Sequence, residues 1–329
     1  MKEKQKKIGS FLAPYIGLIF LTAILTFLTN GEVIAPTNLK LVMEQSIIMI
    51  ISCAGLVFVM SMGMLDLSVG ANICICCYMV AKISQVNIVF GLVAGLLTGT
   101  LVGFINGILT GRYKIMSFLV TLCTRYIING LMVPLIAKEA VSVPFELYQF
   151  DTFELKMILL IVVLGVTGTL YTYTPFGNRV RMIGSNEMAA VYSCVEVNKI
   201  KVICYMICGF LGAIAAYLTA IRTGTAALNT GSDMMFNSLI ALVMGGFPAK
   251  GGSKARFSAC IIGSLVMAIL TNGLTILGMN ATLQQFLKGG IFLAIIVLLA
   301  EKQQMPGHFL MKILKKKKTV YEKPVKTGD

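Results

Sequence analysis

Ten apolar runs constrain this chain more than any other feature, at about 11–29, 46–64, 67–85, 88–110, 115–137, 155–174, 200–221, 234–247, 255–277 and 284–300. A helix of such length crosses the roughly 30 Å hydrocarbon core of a bilayer. In lipid only helices and closed barrels satisfy their backbone polar groups, and these runs lack the alternation of barrel strands. The expected fold is therefore all-α and polytopic, a bundle of about ten transmembrane helices. The run 234–247 is short and reads as a re-entrant or broken helix. Composition agrees: 13% of residues are charged, against about 25% in soluble chains.

Charge orients the runs. Only Lys40, Lys82, Arg125, Lys138, Lys156, Arg222 and Lys288 fall outside the segments that face the cytoplasm if both termini lie there. Those segments are 1–10, 65–66, 111–114, 175–199 (extended to Lys201), 248–256 and 301–329. The outer loop 138–154 carries Glu139, Glu146, Asp151 and Glu154. Adding or removing one span would reverse the bias of every later loop. The same bias accounts for the net charge of +14 without any nucleic-acid partner. The organisation expected is a basic N-terminus (1–10), a membrane domain (11–300) and a basic tail (301–329). No A-x-A site follows the first run, which reads as an uncleaved span.

Several chemistries are excluded. The dipeptide Gly-Lys does not occur, so the chain has no phosphate-binding loop of the G-x-x-x-x-G-K-[ST] type. Its single histidine, His308, sits in the tail and leaves no base for a serine or cysteine nucleophile. Cys74, Cys76 and Cys77 come without a histidine or carboxylate cluster and read as small hydrophobes. No cofactor or metal is expected in this chain. Gly91, Gly95, Gly99 and Gly103 fall on one face of the fourth run, the pattern of close helix packing.

Two polar features need a use. The first is the stretch Thr174–Lys201 between long apolar runs. Within it Met188, Val191, Tyr192 and Val195 give Asn186–Val195 an apolar stripe at helical spacing. Such a piece either docks in a partner's groove or rests on the membrane surface. The second is Asp66, in the polar break Gly63–Gly70, since a charge buried in lipid costs about 2.5–3.5 kcal/mol. Asp66 either caps the helix that follows or marks a broken helix facing a path. Asn106, Arg125, Asn129 and Asn272 either line such a path or link helices.

Taken together, Asp66-Leu67-Ser68-Val69-Gly70, Ser117-Phe118-Leu119-Val120-Thr121-Leu122, Thr174-Pro175-Phe176-Gly177 and Gly184-Ser185-Asn186-Glu187-x-Ala189-Ala190 resemble the motifs of a known family. So do Val197-Asn198-Lys199-Ile200-Lys201, Ala241-Leu242-Val243-Met244-Gly245-Gly246, Gly251-Gly252, Asn272-Gly273-Leu274 and Leu287-Lys288-Gly289. The family is the bacterial ATP-binding-cassette importer permeases for simple sugars, of the ribose/xylose/galactose type, and the likeness runs from about residue 45 to 300. Cys194 departs from the pattern, standing where the family commonly has Gly, as do Met62 to Leu65 before Asp66 and Phe247-Pro248-Ala249 before Gly251.

The resemblance implies a multi-pass protein of the bacterial cytoplasmic membrane, itself not an enzyme. It implies three protein partners: an ATPase subunit that binds ATP and Mg, an extracytoplasmic sugar-binding protein, and a second permease copy. It makes 175–199 the coupling loop, with Gly184, Asn186, Glu187, Ala189, Ala190 and Ser193 as its site residues. Asp66, Ser68, Gly70, Asn106, Asn129 and Asn272 are candidates for the translocation path. The rival readings are an autonomous secondary carrier or channel, which would want an intramembrane charge relay, and a membrane-embedded enzyme, which would want clustered Asp, Glu or His.

Overall fold

A computed structural model describes residues 2–136 and 140–302, with side chains for 14–136 and 140–294. Lys138, Glu139, His308 and most of the basic tail lie outside the described residues. The elements run α1 (Lys2–Leu28), a 3-10 turn (Glu32–Ile34), α2 (Pro36–Ser61), α3 (Val69–Ser84), α4 (Ile88–Gly111) and α5 (Ser117–Ile136). There follow β1 (Val141–Ser142), the single turn α6 (Phe145–Tyr148), α7 (Phe153–Thr172), α8 (Pro175–Ser185), α9 (Glu187–Tyr192) and α10 (Val197–Thr223). The chain continues with β2 (Thr225–Ala226), α11 (Met234–Met244), α12 (Ser258–Ile276) and α13 (Ala281–Lys302). The two strands pair antiparallel, Val141 with Ala226 and Ser142 with Thr225. Residues up to Gly278 form one compact unit and α13 belongs to a second.

Each of the ten apolar runs contains a helix. Among the described residues α2, α4, α5, α7, α10 and α12 are long and apolar enough to cross a membrane. The chain is thus an all-α polytopic membrane protein. Among the described residues three apolar helical stretches are shorter: Pro14–Leu28 within α1, α3 and α11. At 16 residues α3 rises about 24 Å, and at 11 residues α11 rises about 17 Å. The run 67–85 is therefore not one helix throughout: its start belongs to a non-helical link, residues 62–68, between α2 and α3. The run 234–247 forms only the short α11, ending in a turn at Gly245 and Gly246, the latter at φ 83°.

Burial differs sharply between helices. In α2, 83% of the most apolar stretch is buried, whereas in α4, α5 and α7 the share is 22–28%. On α4 the side chains of Val89, Phe90, Val93, Leu97 and Leu101 are all exposed. So continuous an apolar face is unstable in water and is at home in lipid. α2 is the inner helix of the unit, with α10, α12 and α7 packed around it.

The glycine stripe of α4 lies against α3 and α10. A Cβ on Gly95 would come within 2.6 Å of Val80 in α3, and one on Gly99 within 2.5 Å of the Gly209 carbonyl in α10. A Cβ on Gly103 would strike the Tyr205 carbonyl, one on Gly107 would stand 2.7 Å from the Val202 Cα, and one on Gly111 2.9 Å from the Asn198 carbonyl. The stripe therefore extends two turns beyond the four glycines expected, and α4 meets α10 backbone to backbone. Gly103→Val is expected to destabilise the protein by at least about 1–3 kcal/mol, because the atoms it would meet are backbone. Gly130, with nothing within 4 Å, should accept Ala with a gain of up to about 1 kcal/mol. Thermal midpoints in detergent and yields in the membrane check both.

Candidate functional site

The polar stretch after α7 folds into two short helices. Pro175 sits in the first turn of α8, and the Thr174 side chain accepts the Gly177 amide. The helix buries Gly177, Val180 and Ile183 and ends at Asn186. Asn186 also starts α9, its side-chain oxygen accepting the Ala189 amide at 3.1 Å. Glu187 in the first turn of α9 pairs with Lys201 of α10 at 2.8 Å, so α9 is tied to the helix that follows it.

α9 is shorter than the expected Asn186–Val195 and closes in a Schellman turn. The Cys194 amide donates to the Val191 carbonyl and the Val195 amide to the Ala190 carbonyl. Cys194 holds φ at 57°, the left-handed region that glycine enters freely and other residues enter at a cost of about 1–2 kcal/mol. Ser193 donates its hydroxyl to the Ala189 carbonyl at 3.0 Å. On the open side of α9, Met188 is 59% exposed, Val191 48% and Tyr192 81%. Val195 is half-buried, so the apolar stripe shortens to three residues. Ala190 is fully buried and faces the protein instead of the open side.

The end of α8 is wedged against two other segments. A Cβ on Gly184 would strike the Ser61 carbonyl at the end of α2, and one on Gly251 would strike the carbonyls of Met60 and Ser61. The Gly252 amide donates to the Ser61 carbonyl at 2.8 Å, and the Ser253 amide to Ser185 Oγ at 2.9 Å. Tyr171, at the end of α7, completes the junction. It is fully buried, its hydroxyl 2.6 Å from Ser61 Oγ, its ring edge-on to Phe58 and beneath the Arg181 guanidinium. The turn carrying α9 thus bears on the residue where α2 ends.

Directly after that residue the chain runs without helix to Ser68. Its amides find partners on α5: Leu65 N–H donates to Ser117 Oγ at 3.3 Å and Leu67 N–H to Thr121 Oγ1 at 3.1 Å. Tyr205 of α10 donates its hydroxyl to the Leu65 carbonyl at 3.3 Å. Asp66 is buried and does not cap α3. Its Oδ1 accepts both the amide and the hydroxyl of Ser68, at 2.8 and 2.6 Å. Asn106 donates to Ser68 Oγ at 2.9 Å, and Thr124 donates to Asn106 Oδ1 at 2.6 Å. Every donor in this chain from α5 through α4 to the link points towards the Asp66 carboxylate.

Asp66, Ser68 and Asn106 therefore meet, and Gly70 lies nearby, with room only for a hydrogen against the Gly231 carbonyl. Asn129 is exposed on α5 and does not join them. Asn272 exchanges two amide hydrogen bonds with Asn38, at 2.8 and 2.9 Å, which joins α12 to the start of α2. Arg125 points to the Met235 sulfur at 3.3 Å. Thr124, Ser61 and Tyr171 were not singled out from sequence, since nothing in their spacing marks them. Lys156, expected only as an outer charge, is buried between Glu44 at 3.1 Å and Asp151 at 2.6 Å. The thiols of Cys74 and Cys77 face the backbone carbonyls of Ala227 and Ala216.

Because both Ser68 bonds fall on a single carboxylate oxygen, Asp66→Asn can keep them and is expected to preserve fold and membrane abundance. Asp66→Ala strands the Ser68 amide and hydroxyl and should cost about 1–3 kcal/mol, read as a lower thermal midpoint. Cys194→Gly removes the left-handed strain and should stabilise the turn by about 1 kcal/mol, seen as slower proteolysis at residues 186–196.

Comparison with known proteins identifies the family. Residues 38–296 match the family described as branched-chain amino acid transport system / permease component. The chain is 33% identical over 305 residues to the ribose import permease protein of Bacillus subtilis, covering 89% of this chain and 93% of that one. It is 27% identical over 301 residues to the ribose import permease protein of Escherichia coli K12, covering 88% and 93%. It is 25% identical over 303 residues to the D-allose transport system permease protein of the same strain, covering 89% and 91%. No solved structure is significantly similar. The chain belongs to this family of permease components and is a multi-pass membrane protein.

Proposed function

We infer that this permease component is the membrane-spanning subunit of an ATP-binding-cassette importer that carries a simple sugar, ribose or a related aldose, into the cytoplasm. The carrying observation is the near end-to-end similarity to permeases named for ribose and allose import. The family's description names branched-chain amino acids, but the relatives that cover most of this chain are named for sugars. The chain supplies no phosphate-binding loop, so ATP and Mg are bound by a partner ATPase. A sugar-binding protein delivers cargo from the opposite side, and a second permease copy completes the path. Both termini lie in the cytoplasm on the charge-bias orientation.

In this reading α9 is the coupling helix. Met188, Val191 and Tyr192 present an apolar knob on a polar loop, the form in which a short helix sits in a groove. Force applied there passes through Gly184 into the Ser61 carbonyl and so into the link that holds Asp66. Glycine contacts suit that task, since two backbones in contact move together or part. A secondary carrier would need a charge relay in the spans. Asp66 is instead engaged by Ser68, and Arg125 faces a sulfur.

The test is uptake of ribose, xylose and allose by proteoliposomes holding the permease and its ATPase, with loaded binding protein outside. ATP-dependent uptake of one of them is expected; uptake without ATP would replace the importer with a carrier. Met188→Asp with Tyr192→Asp should reduce ATP-driven uptake at least about tenfold, one decade for each roughly 1.4 kcal/mol of docking lost, while membrane abundance is unchanged. Wild-type uptake from this variant would remove α9 as the docking element. Ala190→Arg is a poor probe of docking, because Ala190 is packed inside the chain.

A further inference from the structure

At the opposite end of α10 from the coupling helix, about 40 Å away, lies a cavity of 220 Å³. It is bounded by α2, the end of α10, the loop before α11, and α12. Gln45, Thr219, Arg222, Asn229, Asn237 and Thr271 line it with polar groups, and Ile48, Met49, Met234 and Ala268 give it apolar wall. The Thr271 hydroxyl oxygen is buried there with no hydrogen-bond partner among the described residues. None of these polar residues is among those expected on the path.

We infer that this cavity is a monosaccharide-binding site in the permease itself, on the side where cargo arrives. The ligand class rests on the sugar-import reading above; the site rests on the cavity. Sugar hydroxyls donate and accept at once, and Gln45, Asn229 and Asn237 can do both in return. Arg222 and the Asp233 carboxylate, which also lines the cavity, balance one another, so the lining selects no net charge. The ring's C–H faces meet Met49, Met234 and Ile48. The volume is below the roughly 300–1,000 Å³ of pockets for drug-sized ligands and equals that of about seven waters, which suits one small sugar ring. Binding is weak, as it must be where cargo has to leave again.

The test uses the full permease with its ATPase in proteoliposomes and a thiol placed at the cavity by Asn229→Cys, Asn229 being exposed. A membrane-impermeant maleimide labels that thiol, with the wild type as the blank. Millimolar ribose, xylose or allose is expected to slow labelling several-fold, and leucine to leave it unchanged. Adding Asn237→Leu should abolish the protection, with the labelling rate in sugar-free buffer reporting that the cavity is still formed. Equal labelling with and without all three sugars overturns the site. Protection by leucine instead overturns the ligand class. The same vesicles, given binding protein and ATP, separate the two readings: uptake without protection sinks the cavity alone, and absence of both sinks the cavity and the import reading together.

Discussion

Backbone-to-backbone contact, possible only where a side chain is missing, is the interaction on which the rest of this structure depends. In lipid there is no hydrophobic force to drive one apolar helix onto another, so association relies on close van der Waals fit. The stripe from Gly95 to Gly111 meets it by bringing α4 onto α3 and α10. Once α10 is fixed along α4, Lys201 in its second turn holds α9 through Glu187, and its last residues form part of the wall of the cavity. A single helix therefore positions both regions.

The same device reappears at the Ser61 junction with a different consequence. Gly184, Gly251 and Gly252 come from two segments distant in sequence, and all three close on the last turn of α2. That turn is where the helix gives way to the link 62–68, whose Leu65 and Leu67 amides donate to Ser117 and Thr121 and whose Leu65 carbonyl accepts from Tyr205. Apart from the Asp66–Ser68 bonds within it, the link is held by its neighbours. The directed series Thr124, Asn106, Ser68, Asp66 keeps the link ordered at the point where α2, α4 and α5 converge.

Much of this was legible in the residues. The apolar runs gave the helices, the four-residue glycine spacing gave the packing face, and the stripe around Tyr192 gave the exposed knob. The shortness of the run 234–247 matches the eleven residues of α11. Cys194 in a glycine position became intelligible only when its positive φ was seen. Val195 dropped out of the apolar stripe because a ten-residue helix was expected, and the Schellman turn ends α9 after six. Asn129 and Asn272 look alike in sequence, an amide within an apolar run. One is exposed, and the other is paired with Asn38, more than two hundred residues away.

What the sequence by itself determined is the solvent and the element: a bilayer admits only backbone that satisfies itself, so apolar runs of this length must be helices. It also shows that the chain lacks a G-x-x-x-x-G-K-[ST] loop and any histidine besides His308, since such features must be spelled in residues. The tertiary structure alone decided which polar groups meet. Hydropathy records each residue's preference for lipid or water, whereas a hydrogen bond or a cavity depends on a partner brought close by packing. Thr271 reads as an ordinary helical threonine until α2 and α10 close around it, and Ser61 as a helix end until three glycines press against its carbonyl.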